Sequence, residues 1–141
     1  MKRKFDLLRI LFITSILALL LSGCDFSKIT VGQVRMMYGS NDDGHILYNY
    51  STFTGIENGS AHVETGQTIS FDYDVRVDKG SLMIEWQDPN GIAVWQKSLV
   101  ESDHGNEEII VKSSGEYRII IQGKNAGGDF DISWRIQQLS P

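Results

Sequence analysis

The sequence predicts an all-β domain, an antiparallel β-sandwich, and three observations carry that prediction. Apolar and polar residues alternate with a period of two through most of the chain after its first thirty residues, the pattern of half-buried antiparallel strands. Turn residues interrupt the runs every roughly 8–12 positions, the spacing of sandwich strands. No stretch places apolar residues at helical spacing over a useful length. About eight strands whose apolar sides face one another would make two packed layers.

Taken in order, Ile29 to Tyr38, His45 to Thr54 and Ser60 to Glu64 read as strands with loosely marked ends. Thr68 to Asp78 is the clearest run. Ile69, Phe71, Tyr73, Val75 and Val77 share one face, against Ser70, Asp72, Asp74 and Arg76. Asp78-Lys79-Gly80 reads as a turn, and Leu82, Ile84 and Trp86 then share a face. Asp88-Pro89-Asn90-Gly91 is a strong turn: proline fixes φ at the second position and glycine accepts a left-handed conformation at the fourth. Ile92 to Leu99 returns, Glu108 to Val111 is short, and Ser113-Ser114-Gly115 turns. Tyr117, Ile119 and Ile121 form the next apolar face, Asn125-Ala126-Gly127-Gly128 reads as another turn, and Phe130, Ile132, Trp134 and Ile136 form the last. Acidic outer positions such as Asp72, Asp74 and Asp131 suit the task of protecting sheet edges.

Residues 80–137, with Asp-Pro-Asn-Gly, Gly115-Glu116-Tyr117 and a glycine turn between strands, resemble the C-terminal part of jelly-roll-like β-sandwich modules such as GOLD domains and the pre-peptidase C-terminal domains of secreted bacterial enzymes. The resemblance covers about half of the mature chain. It implies a non-catalytic interaction module. The chain departs from many GOLD domains in having no cysteine near Tyr117.

The N-terminus has a different character. Met1-Lys2-Arg3-Lys4 is positive, and Ile10 to Leu21 is apolar apart from Thr14 and Ser15. That run is too short to cross a bilayer, which takes about 20 residues, and fits the apolar region of a secretory signal. Leu21-Ser22-Gly23-Cys24 then resembles the lipobox of bacterial lipoproteins. The resemblance implies removal of residues 1–23, lipid on the Cys24 thiol and anchoring at the outer side of a membrane. Residues 24–28 would be a short tether and 29–141 the sandwich. Two or more acyl chains anchor stably where one is marginal. In a Gram-negative envelope, Asp25 would resemble an inner-membrane retention signal.

Charge narrows the function. The chain carries 13 basic and 18 acidic residues. Without the signal's Lys2, Arg3, Lys4, Arg9 and Asp6, the remainder holds 9 basic and 17 acidic residues, a formal charge of −8. Such a domain repels nucleic acid. Cys24 is the single cysteine, so no disulfide or thiolate metal site is expected. His45, His62 and His104 lack the spacing of metal ligands, and no nucleophile elbow or phosphate loop occurs. Asn41-Asp42-Asp43-Gly44 offers oxygen atoms to calcium, but Thr52 stands where an EF-hand loop has its glutamate. No cofactor, metal or catalytic residue is expected.

The remaining candidates are aromatic. A three-residue hairpin with a bulge at Asp88–Ile92 sets Trp86 opposite Val94 and Glu85 opposite Trp95. Trp86 then joins the core, and Trp95 falls on the opposite face with Met83 and Lys97, a candidate binding surface. A four-residue loop would instead place Gln87 across from Ile92 and bring Trp95 inside with Ile84; the bulged turn is the favoured register. The expected function is a non-catalytic, membrane-held interaction module for an envelope protein or glycan, with a sugar- or solute-binding accessory module as the alternative and an enzyme whose site is not visible in the sequence as the third reading.

Overall fold

A computed structural model of the chain describes residues 31–138. The signal, Cys24, the tether and the first two residues of the strand expected from Ile29 lie outside the described residues. Six strands follow: β1 (Val31–Asp42), β2 (His45–Val63), β3 (Thr68–Gln87), β4 (Ala93–Leu99), β5 (Asp103–Ile110) and β6 (Gly115–Gln137). All pair antiparallel in the order β1-β2-β6-β3-β4, with β5 also on β3.

One sheet becomes two layers because its long strands bend. Phe71 and Trp86 lie fifteen residues apart in β3, about 50 Å along a straight strand. Their ring centroids are 5.8 Å apart. Trp86 likewise meets Trp134 at 5.7 Å, edge to face, although its β6 neighbour in the ladder is Ile119. The ladder is irregular between Tyr50 and Gly55 in β2 and between Val77 and Ser81 in β3, where the strands fold over. Layer one holds β1, the first half of β2, the first half of β3, β5 and the second half of β6. Layer two holds the other halves and β4.

This explains why six strands stand where about eight were expected. Asp78-Lys79-Gly80 and Asn125-Ala126-Gly127-Gly128 do not reverse the chain. They bend continuous strands, so Thr68–Asp78 and Leu82–Gln87 are one element, and the last two predicted strands are another. Similarly, His45–Thr54 and Ser60–Glu64 merge into β2. Gly80 has φ +70° and Gly128 φ +140°, conformations open to glycine, and a Cβ at Gly128 would overlap the Arg76 carbonyl oxygen.

Between the layers lie the predicted apolar faces. Ile69, Phe71, Tyr73, Val75, Phe130, Ile132 and Trp134 come from layer one; Leu82, Ile84, Trp86, Tyr117, Ile119 and Ile121 from layer two. Gly59 lets the layers approach, since a Cβ there would stand 2.7 Å from the Trp134 ring. At the end away from the bends, the Thr65 and Gly66 amides donate to Ser114 Oγ (2.9 Å) and the Val111 carbonyl (3.0 Å), closing that pole.

Candidate functional site

The β3–β4 hairpin forms as its sequence demands. The Gly91 amide donates to the Asp88 carbonyl at 2.9 Å, the Asp88 amide to the Ile92 carbonyl at 2.8 Å, and Gly91 has φ +79°. The Asp88 carboxylate accepts from the Ile92 amide (2.8 Å) and the Asn90 amide (2.9 Å). Those bonds, Ile92's foremost, hold the carboxyl below the usual range.

Beyond the turn, the expected register fails by one residue. Gln87 faces Ala93, but the ladder then shifts, and Trp86 faces Trp95 while Glu85 faces Gln96. Val94 is the extra residue of a bulge. Trp95 therefore turns inward, the opposite of the expected placement. Its ring meets Phe71 at 4.9 Å, edge to face, and Tyr73 at 6.0 Å. Two aromatic contacts of this kind outweigh one lost ladder position. The four-residue loop also places Trp95 inside, by another register; sequence counting could not choose between the two, because Phe71 and Tyr73 reach Trp95 only through the bend in β3.

Lys97 follows Trp95 inward. Its ammonium donates to Tyr73 Oη at 2.5 Å, reaches Asp103 Oδ2 at 2.5 Å and lies 5.0 Å from the Tyr73 ring centroid. The hydrogen bond to Asp103 raises the Lys97 pKa, and the same bond lowers that of Asp103. Met83 stays on the outer face of layer two, its sulfur 2.8 Å from Gln96 Nε2. The three residues expected to share a surface are thus divided between the two faces of the sheet.

What the structure builds around Trp95 is a cleft of about 510 Å³. It exists because β4 and β5 pair with different halves of β3, leaving the layers unbridged along this edge except at Lys97 and Asp103. Half-buried Trp95 and the buried Ile109 and Tyr117 form its floor; Asp88 and Val94 form one wall, and Glu108, Ile110 and Lys112 the other. Val94 is 43% exposed, Ile110 66% and nearby Ile92 62%. Ile110 was legible in the sequence: Ile109 and Ile110 are successive strand residues, so both cannot face the core.

A second, shallower hollow of about 480 Å³ lies on the outer face of layer one, lined by Asp72, Asp74, His104, Asn106 and Asp131. Asn106 donates to Asp72 at 2.6 Å, and His45 Nε2 is 2.7 Å from Asp131. His62 pairs with Glu64 instead. In the Asn41–Gly44 turn, Asn41 donates to the Asn58 carbonyl at 2.8 Å. Among the described residues no group of three His, Cys, Asp or Glu side chains is placed to hold a metal ion.

No protein-family model matches the chain, and no curated protein matches it. Solved structures do. A carbohydrate-binding module (CBM6cm-2) from Cellvibrio mixtus lichenase 5A in complex with cellotriose is 14% identical over 79% of this chain and 91% of that one, with a TM-score of 0.46. TmCBM61 in complex with β-1,4-galactotriose is 14% identical over 76% and 91%, with a TM-score of 0.47. A variant of CBM29-2 complexed with cellulohexaose is 15% identical over 82% and 83%, with a TM-score of 0.44. The ligands named with those modules belong to those modules.

Proposed function

We propose that the chain is a lipid-anchored interaction module of the bacterial envelope, without catalysis of its own, and that its edge cleft receives a protein partner. The observation that carries the cleft assignment is the pair of exposed aliphatic side chains, Val94 and Ile110, that line the cleft with Trp95 at one edge of the sandwich. An apolar patch with a charged rim of Asp88, Glu108 and Lys112 fits a protein surface. A sugar platform needs several flat exposed rings together, whereas Tyr50, Phe53, Phe71, Tyr73, Trp86, Tyr117 and Phe130 are buried, and the exposed ring of Tyr38 lies on β1, at the other end of the strand order from the cleft. The anchoring part rests on the positive N-terminus, the short apolar run and Leu21-Ser22-Gly23-Cys24.

Two experiments test the two parts. Cys24→Ser should abolish incorporation of radioactive fatty acid and leave unprocessed precursor; equal labelling of both proteins overturns the anchor. A photo-cross-linking amino acid at Val94 should give a discrete protein adduct in intact cells that is absent with the same probe at His104. Equal adducts at both positions overturn the cleft assignment.

One observation favours the sugar-binding reading: the Trp95 ring lines a cleft large enough for one or two sugar rings, with Glu108 and Ser113 as hydrogen-bonding groups. Saturable quenching of Trp95 fluorescence by oligosaccharides, without a protein adduct at Val94, would select it.

A further inference from the structure

The two outer faces of the sandwich differ sharply in charge. On layer one, Asp72, Asp74, Asp129 and Asp131 face outward against Arg76 and Arg135. On layer two, the outward positions form adjacent rows across β4, β3, β6 and β2. Ser98, Met83, Gln122 and Ile56 make one row, and Gln96, Glu85, Ile120 and Asn58 the next. Gln87, Arg118 and Ser60 follow. This face carries Glu85 and Arg118 at its centre, Lys124 and Glu116 at the two ends of its β6 stretch with His62 opposite Glu116, amides around the central pair, and half-buried Ile56, Met83 and Ile120, so acid and base stay balanced across it.

We propose that this face binds a second copy of the chain, face to face. The occupant is set by charge complementarity. A domain this acidic repels its own copies everywhere except where its charge is balanced. Glu85 and Arg118 are diagonal neighbours in the ladder, since Glu85 faces Ile120 and Gln87 faces Arg118. A two-fold axis along the Ile120–Gln87 diagonal brings each Glu85 onto the other copy's Arg118, twice, and sets Ile120 against its own symmetry mate. That is the self-complementarity an isologous contact requires. Four strands about 4.8 Å apart and six or seven residues long give a flat face of about 400 Å² per copy, the scale of a weak, reversible dimer. The Trp95 cleft lies at the edge and stays open. This inference is independent of what the cleft binds and of the anchor.

The test uses the full chain in membranes and the chain from Asp25, which contains every described strand. Ile120→Cys in the full chain should yield a disulfide-linked dimer on brief oxidation beyond any formed by the chain with Cys24 alone, and Asp74→Cys on the acidic face should add none. In sedimentation velocity on the shorter chain, Glu85→Arg and Arg118→Glu should each weaken self-association about tenfold, and the double variant should restore it. Circular dichroism checks that each variant is folded; these positions face outward, and their exchange leaves the core untouched. A folded chain that stays monomeric at high concentration overturns the proposal. So does equal cross-linking at residues 74 and 120, or a double variant weaker than either single one.

Discussion

Trp86 and Trp95 face each other across the ladder, yet they answer to different constraints. Trp86 is fully buried between Phe71 and Trp134, so Trp86→Ala should cost about 3–5 kcal/mol in urea unfolding, as large core truncations do. Trp95 is half-buried, and Trp95→Ala should cost about 2 kcal/mol, the loss of two ring contacts and part of its apolar area. Iodide should quench a variant keeping only Trp95 and leave one keeping only Trp86 nearly untouched. Equal quenching would contradict the difference in burial between the two rings. Gly59 is a third case, where the missing side chain matters. Gly59→Ala should cost about 1–3 kcal/mol by pressing on the Trp134 ring. Combined with Trp134→Phe, the loss should be smaller than the sum of the two.

At the scale of elements, the bends and the Lys97–Asp103 pair decide how the layers meet. Gly128→Ala should destabilise by at least about 2 kcal/mol in urea unfolding, because its backbone is left-handed and its neighbour is the Arg76 carbonyl. The Lys97–Asp103 pair ties β4 in layer two to β5 in layer one and predicts a pH dependence. Asp103 has a depressed folded pKa, so its contribution is fully present above the unfolded value near 4 and is lost as pH falls through the lower folded value. Thermal unfolding followed from neutral pH to below about pH 4 should show a falling Tm, and Asp103→Asn should show a lower Tm at neutral pH with a smaller acid-induced drop. An unchanged acid drop would mean that other carboxylates, Asp88 among them, carry it.

For the whole molecule, one continuous sheet folded on itself should unfold as a unit. The chain from Asp25 should give a β-type far-UV circular dichroism spectrum and a single cooperative transition indifferent to reductant. Substantial helix, or two separate transitions, would contradict it. The alternation of Ile69, Phe71, Tyr73 and Val75, of Tyr117, Ile119 and Ile121, and of Phe130, Ile132 and Trp134 made the inner faces legible in sequence, and Asp88-Pro89-Asn90-Gly91 made its turn legible. Asp78-Lys79-Gly80 and Asn125–Gly128 misled, because glycine chemistry serves a bend as well as a reversal. The cleft was half legible: Trp95 could be singled out, but the side of the sheet it occupies depends on rings brought close only by those bends.

The place of β6 has a consequence for how the protein is made. This last strand lies between β2 and β3, which do not pair with each other. Until Gly115–Gln137 is present, the chain ahead of it offers only the β1–β2 hairpin and the separate group of β3, β4 and β5, with no ladder joining them. A nascent chain can therefore form these two native fragments but cannot join them before β6 is made. The two groups come together only when the centre strand arrives, so the long-range step that completes the fold comes last.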